Sequence, residues 1–209
     1  FNGEQYGGSL VSTEFSRQSK YYNFSFEYKS YSPTFQTQSG FINRTDRRQF
    51  EGSQSISYYP DTDLLSRGTF SVSGTWRYDF GGQFQERFIF TRLSNNFGGQ
   101  TNLTLSFLPL NDERFRGRLF TNMNRMMIDL RSNPMDAISF GGHVDFGKYI
   151  YRTNNPQFGE GYNISANATL KPTSRLELSL SYSYSTLSST NSSENFFSGD
   201  IYRMTGRYN

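Results

Sequence analysis

The chain holds one histidine, His143, the side chain whose ordinary pKa lies closest to neutral pH. Asp145 follows two residues later, and Ser139 precedes it by four. In an extended segment all three share one side, because successive side chains alternate. A hydroxyl, an imidazole and a carboxylate are the ingredients of acyl transfer. Here the spacing defeats that chemistry: four strand residues span about 13 Å, far beyond a hydrogen bond. Only a neighbouring strand could bring a nucleophile to His143. Hydrogen bonding and packing on a polar surface is the expected role of His143 and Asp145. No catalytic residue is predicted, and the chain is expected not to be an enzyme.

Other chemistry is equally restricted. There is no cysteine, so neither a disulfide nor a thiolate metal site is possible. Asp61-Thr62-Asp63 is too short for a calcium loop and reads as a turn. Gly81-Gly82 and Gly98-Gly99 precede no helical pattern that could hold a phosphate, and they also read as turns. No metal and no cofactor is predicted. The formal charge of +3 is small and dispersed, and the densest basic cluster, Arg44 to Arg48, contains Asp46. Nucleic acid is therefore not an expected partner. Asn-x-Ser/Thr occurs six times, but mostly inside alternating segments where a glycan has no room.

What remains is a set of charged residues, Glu27, Lys29, Arg77, Asp79, Asp145 and Glu177, set with the polar His143 among small polar ones. Each lies opposite an apolar row. In the clearest segment Leu176, Leu178, Leu180, Tyr182 and Tyr184 alternate with Glu177, Ser179, Ser181 and Ser183. Tyr162, Ile164, Ala166, Ala168 and Leu170 alternate with Asn163, Ser165, Asn167 and Thr169. Phe70, Val72, Gly74, Trp76, Tyr78 and Phe80 alternate with Thr69, Ser71, Ser73, Thr75, Arg77 and Asp79. Tyr22 to Lys29, Leu103 to Phe107 and Ile138 to Gly147 repeat the scheme. A period of two builds two-faced strands and smears both sets around a helix. Phe84 to Arg92, Arg116 to Leu130, Gln5 to Phe15, Phe50 to Tyr59 and Gly199 to Tyr208 alternate less cleanly, but their regular spacing makes them strands too. The tally is about eleven.

Composition fits one architecture for such strands. Only 34% of residues are hydrophobic, mean hydropathy is −0.70, and yet 18% are aromatic. A disordered chain lacks rings. A transmembrane β-barrel has one face in lipid, the other toward a polar lumen, and aromatics at both membrane boundaries. No apolar run of about 18 residues exists, so no transmembrane helix is expected. The sequence predicts an all-β, antiparallel barrel of the outer-membrane type. His143 and these six charged residues are expected to face the lumen, the six charged ones as a solute-selecting constriction or as ion pairs that fill it. Tyr22, Tyr28, Trp76, Tyr78, Tyr182 and Tyr184 are expected to form lipid-interface girdles.

The connections are expected near residues 16–20, 31–46, 60–66, 80–83, 95–100, 110–114, 132–136, 152–161, 171–174 and 186–198. The longest, 31–46, 152–161 and 186–198, share one parity, as outer loops of a bacterial barrel do. The turns at Ser132-Asn133-Pro134 and Lys171 to Ser174 would then be periplasmic. An odd count of eleven departs from the even number usual in such barrels, so further strands are expected before Phe1.

Three passages carry a resemblance. Tyr31-Ser32-Pro33-Thr34-Phe35 through Gly40-Phe41-Ile42-Asn43-Arg44-Thr45-Asp46, the turn Lys171-Pro172-Thr173-Ser174-Arg175-Leu176, and Asp200-Ile201-Tyr202-Arg203 resemble segments of a Gram-negative family of unsettled function. In that family a domain similar to carbohydrate-binding module family 9 precedes a C-terminal outer-membrane barrel. The resemblance covers the barrel part only and implies that residues 1–209 are a single barrel domain or segment. Any sugar-binding role would belong to the preceding domain. The expected function is a channel, a transport element, or an anchor for that domain. The alternatives are a plugged structural barrel within a larger envelope complex and a soluble all-β binding module. Expected partners are the bilayer and its lipopolysaccharide, with envelope proteins at loops 31–46, 152–161 and 186–198, in the Gram-negative outer membrane.

Overall fold

The computed structural model describes residues 7–35, 45–60 and 62–208. The rest of the expected loop at residues 31–46, Asp61, and the start of the strand expected from Gln5 lie outside the described residues. The described residues form one antiparallel sheet of twelve strands and contain no helix. The elements are β1 (Leu10–Arg17), β2 (Tyr22–Tyr31), β3 (Arg47–Tyr58), β4 (Leu65–Tyr78), β5 (Phe84–Phe97), β6 (Thr101–Phe115), β7 (Arg118–Phe120), β8 (Arg125–Met135), β9 (Ile138–Tyr151), β10 (Gln157–Thr173), β11 (Leu176–Ser189) and β12 (Asn195–Tyr208). Eleven of them follow one another as a meander, and the short β7 pairs only with β6. The expected all-β antiparallel class and the eleven long strands are thus present. The sheet is open: β1 and β12 are its edges among the described residues.

Strand ends depart from expectation where local turn chemistry decides. The turn expected at residues 110–114 lies within β6, which continues to Phe115. The chain reverses at Arg116-Gly117, whose φ angles of 49° and 79° are the left-handed pair of a tight hairpin. Arg116 to Leu130 is therefore not one strand but β7 followed by β8. Ser132-Asn133-Pro134 is not a turn either. It ends β8 at a register shift, where proline costs no ladder bond, and Asp136-Ala137 makes the turn. Lys171 to Thr173 likewise belongs to β10, after an irregularity past Leu170. Because the strands run longer than expected, the connections expected at 152–161 and 186–198 shrink to 152–156 and 190–194.

The sheet is a single layer, so it has no sandwich-type core. Among the described residues, one small apolar cluster lies at the end carrying the longer connections. There Phe120, fully buried, packs with Met123 and Ile150, against Phe115 and Phe158. The Phe120 and Phe158 rings meet edge-on at 4.8 Å. Arg118 donates to the Pro156 carbonyl at 3.0 Å and Arg116 to Asn154 at 2.8 Å, which ties this hairpin to the β9–β10 connection.

Candidate functional site

Cross-strand register assigns every residue to a face. From β2 to β12, β7 aside, one face reads Tyr22 to Tyr28, Phe50 to Tyr58, Phe70 to Tyr78, Ile89 to Phe97, Thr101 to Phe107, Met126 to Ser132, Ile138 to Phe146, Tyr162 to Leu170, Leu176 to Tyr184 and Tyr202 to Tyr208, at alternate positions. These four or five residues per strand include no Asp, Glu, Lys, Arg or His. Charges resume at both ends: Arg48, Arg87, Lys148, Glu160 and Asp200 on one side, Lys20, Asp136, Lys171 and Arg175 on the other. The charge-free band is about 20–27 Å long along the strands. Its large side chains are unusually bare: Phe26, Phe50, Ile56, Phe70, Phe107, Phe140, Phe146, Tyr162, Leu180 and Met204 are all exposed. No second layer covers them among the described residues.

All six aromatics expected at an interface lie on this face. Tyr28 packs on Phe50 at 4.8 Å, and Phe50 pairs in turn with Trp76. Tyr78 stands one step nearer the β4 end. Tyr182 meets Tyr202 at 4.8 Å and Tyr184 meets Tyr162 at 5.5 Å. Tyr22 lies at the opposite end of β2 from Tyr28. Two glycines accept neighbouring rings. A Cβ on Gly68 would meet the Tyr58 ring at 1.9 Å, and one on Gly74 would meet the Trp76 ring at 2.6 Å.

The opposite face carries the polar chemistry, and its residues are the more enclosed ones. Gln49, Ser57, Thr75, Ser106 and Asp145 are buried there. Arg77 is the hub of one cluster: it donates to Gln49 at 2.9 Å, pairs with Glu86, and has Glu51 at 3.7 Å. Lys29 pairs with Glu27 at 2.6 Å beside it. Arg125 forms two hydrogen bonds to Asp145, only 6% exposed, and its guanidinium lies 4.6 Å from the Tyr149 ring centre. His143 Nδ1 lies 2.8 Å from Asp129 Oδ1. Hydroxyls tile the spaces between: Ser25 with Ser53, Ser57 with Thr69, Ser94 with Thr104, Thr169 with Ser179.

Glu27, Lys29, Arg77, His143, Asp145 and Glu177 all fall on this face, as their parity predicts. Glu177 lies near the β11 start with Lys171 at 3.6 Å. Asp79 does not join them: it follows β4 and serves the turn, where its carboxylate accepts the Gln83 N–H at 2.7 Å. His143 and Asp145 do not interact as a pair. Each takes a partner from β8: Asp129 stands directly opposite His143, and Arg125, opposite Gly147, reaches Asp145 diagonally across the strand pair. Ser139 stays off His143, and no group of three metal-ligating side chains exists among the described residues.

Sequence reasoning missed Gln49, Glu51, Glu86, Arg125 and Asp129, whose roles follow only from register. It also missed Glu113 and Arg152, which form a two-bonded ion pair at 2.8 and 2.6 Å across the loop end. The hydrogen-bonded carboxylate raises the Arg152 pKa above its ordinary range. Compared with known protein families, with characterised proteins and with solved structures, the chain gives no match.

Proposed function

We propose that this chain is a wall of a transmembrane β-barrel in a Gram-negative outer membrane, with its polar face lining a water-filled path for solutes. The charge-free band across ten strands carries this reading. A soluble single-layer sheet would expose those phenylalanines and leucines to water at a cost of about 25 cal/mol per Å². Lipid removes that cost, and the band length is close to the roughly 25 Å apolar height of outer-membrane barrels. Rings at the band ends suit the lipid boundary. Outer-membrane lipid, lipopolysaccharide included, would contact this face. Envelope proteins would meet the connections at 32–46, 152–156 and 190–194.

The open edges fit the same reading on one condition. Backbone N–H and C=O groups cannot stay unpaired in hydrocarbon. β1 and β12 both run from the long-connection end toward the short-turn end. Antiparallel closure then needs an odd number of further strands, from elsewhere in the polypeptide or from another chain, and gives an even total. The resemblance of residues 31–46, 171–176 and 200–203 to a barrel preceded by a carbohydrate-binding-like domain is compatible with this.

Detergent extraction and vesicle flotation test the proposal. The chain should float with lipid, resist alkaline wash, and shift its gel mobility on boiling. A monomer that purifies from the aqueous fraction without detergent would reject the membrane reading and favour a soluble module.

A further inference from the structure

On the polar face, one register row stands apart from the others. It runs Arg67–Asn96–Asn102–Arg131–Gly141–Asn167–Ser181–Arg203 across eight strands, β4 to β12 with β7 aside. It holds three arginines, three asparagines, a serine and a glycine, and no carboxylate and no apolar side chain. The rows toward the other end contain Glu27, Glu51, Glu86 and Asp145, which all face Lys29, Arg77 or Arg125. Among the described residues, Arg67, Arg131 and Arg203 have no carboxylate within ion-pair distance. All three are exposed. The nearest acid along β8, Asp129, is engaged by His143, and Glu177 lies by Lys171. Arg92, also exposed and without an ion-pair partner, lies on the same face of β5, four residues from Asn96.

An unpaired guanidinium presents five donors in a planar fork that matches carboxylate and phosphate oxygens. Strands lie about 4.8 Å apart, so Arg67 and Arg131 are about 14 Å apart across the sheet, and Arg131 and Arg203 about 19 Å. Asparagine amides fill the interval; the Asn102 amide donates to Asn96 at 2.7 Å. No side chain stands at Gly141 in the middle, where a Cβ would press on Asn167 Oδ1 at 3.0 Å. The result is a donor-rich belt with a net positive charge.

We propose that this row is the selectivity belt of the lumen and that it favours solutes carrying carboxylate or phosphate groups. The proposal rests on the channel reading above. Fixed charges lining a pore set the sign of the ions it passes.

The test uses the full-length protein in planar bilayers under a potassium chloride gradient. The expected chloride-to-potassium permeability ratio is above one. Arg67→Gln, Arg131→Gln and Arg203→Gln combined should lower it to one or below, while Arg48→Gln on the other face leaves it unchanged. Inorganic pyrophosphate should reduce the chloride current of the parent protein and lose that effect in the triple variant. Because the three arginines are exposed, the variant should keep its heat-shifted gel mobility. A ratio below one in the parent, or one unchanged by the triple substitution, overturns the belt and leaves the channel standing. No conductance in the properly inserted protein overturns the belt and the channel together.

Discussion

Leu180 sits at the middle of the β11 band, flanked in register by Ala168 and Met204, and is 45% exposed. Replacing it with arginine separates two accounts of the apolar face. On a water-exposed surface, such a change away from any special contact shifts stability by at most about 0.5 kcal/mol. At the middle of a lipid-facing strand, an arginine costs about 2–4 kcal/mol. Ser183 is the matched control: it is exposed on the opposite face of the same strand, paired with Ser165 and Ile201. Its replacement by arginine should stay within about 0.5 kcal/mol, since the new charge would stand in water. Guanidinium unfolding from lipid vesicles, followed by tryptophan fluorescence, reads both values. Two variants of equal stability would refute the assignment of faces to lipid and lumen.

Further expectations concern individual contacts. Phe120→Ala empties a fully buried site and should cost about 3–5 kcal/mol locally, seen as faster proteolysis within residues 116–124 and 152–156. Arg125→Gln leaves the buried Asp145 carboxylate without its ion pair and should cost about 3–5 kcal/mol. Adding Asp145→Asn should recover part of that loss in a double-mutant cycle. Gly68→Ala should push the Tyr58 ring off the strand and break its 2.5 Å hydrogen bond to Asn95, at about 1–3 kcal/mol in the same unfolding assay.

Much of the fold is legible in residue order because a period of two needs no knowledge of neighbours. Leu176 to Tyr184 against Glu177 to Ser183 assigns β11 and its faces without a partner strand. The same parity places Glu27, Lys29, Arg77, His143, Asp145 and Glu177 on one side. Partnership is not legible this way. His143 has Asp145 two residues away in sequence, yet it bonds Asp129, because register is set by turn lengths and by bulges such as that between Ile89 and Thr91. Asp79 continues the parity of β4 but belongs to the turn, where a backbone N–H competes for its carboxylate. The Arg116-Gly117 hairpin escapes notice because arginine carries no left-handed signal, and β7 and the Phe120 cluster are hidden with it. The acid-free arginine row could not be found before register was known, since its members lie in eight separate strands.

Trp76 is the only tryptophan and lies on the charge-free face near its Tyr28 and Phe50 end. Its fluorescence in vesicles of brominated lipids therefore reports directly where that face resides. Strong quenching is expected, greatest for bromines high on the acyl chain near the interface, with little effect from aqueous iodide. Quenching by iodide with none from any brominated lipid would place Trp76 in water and contradict the account.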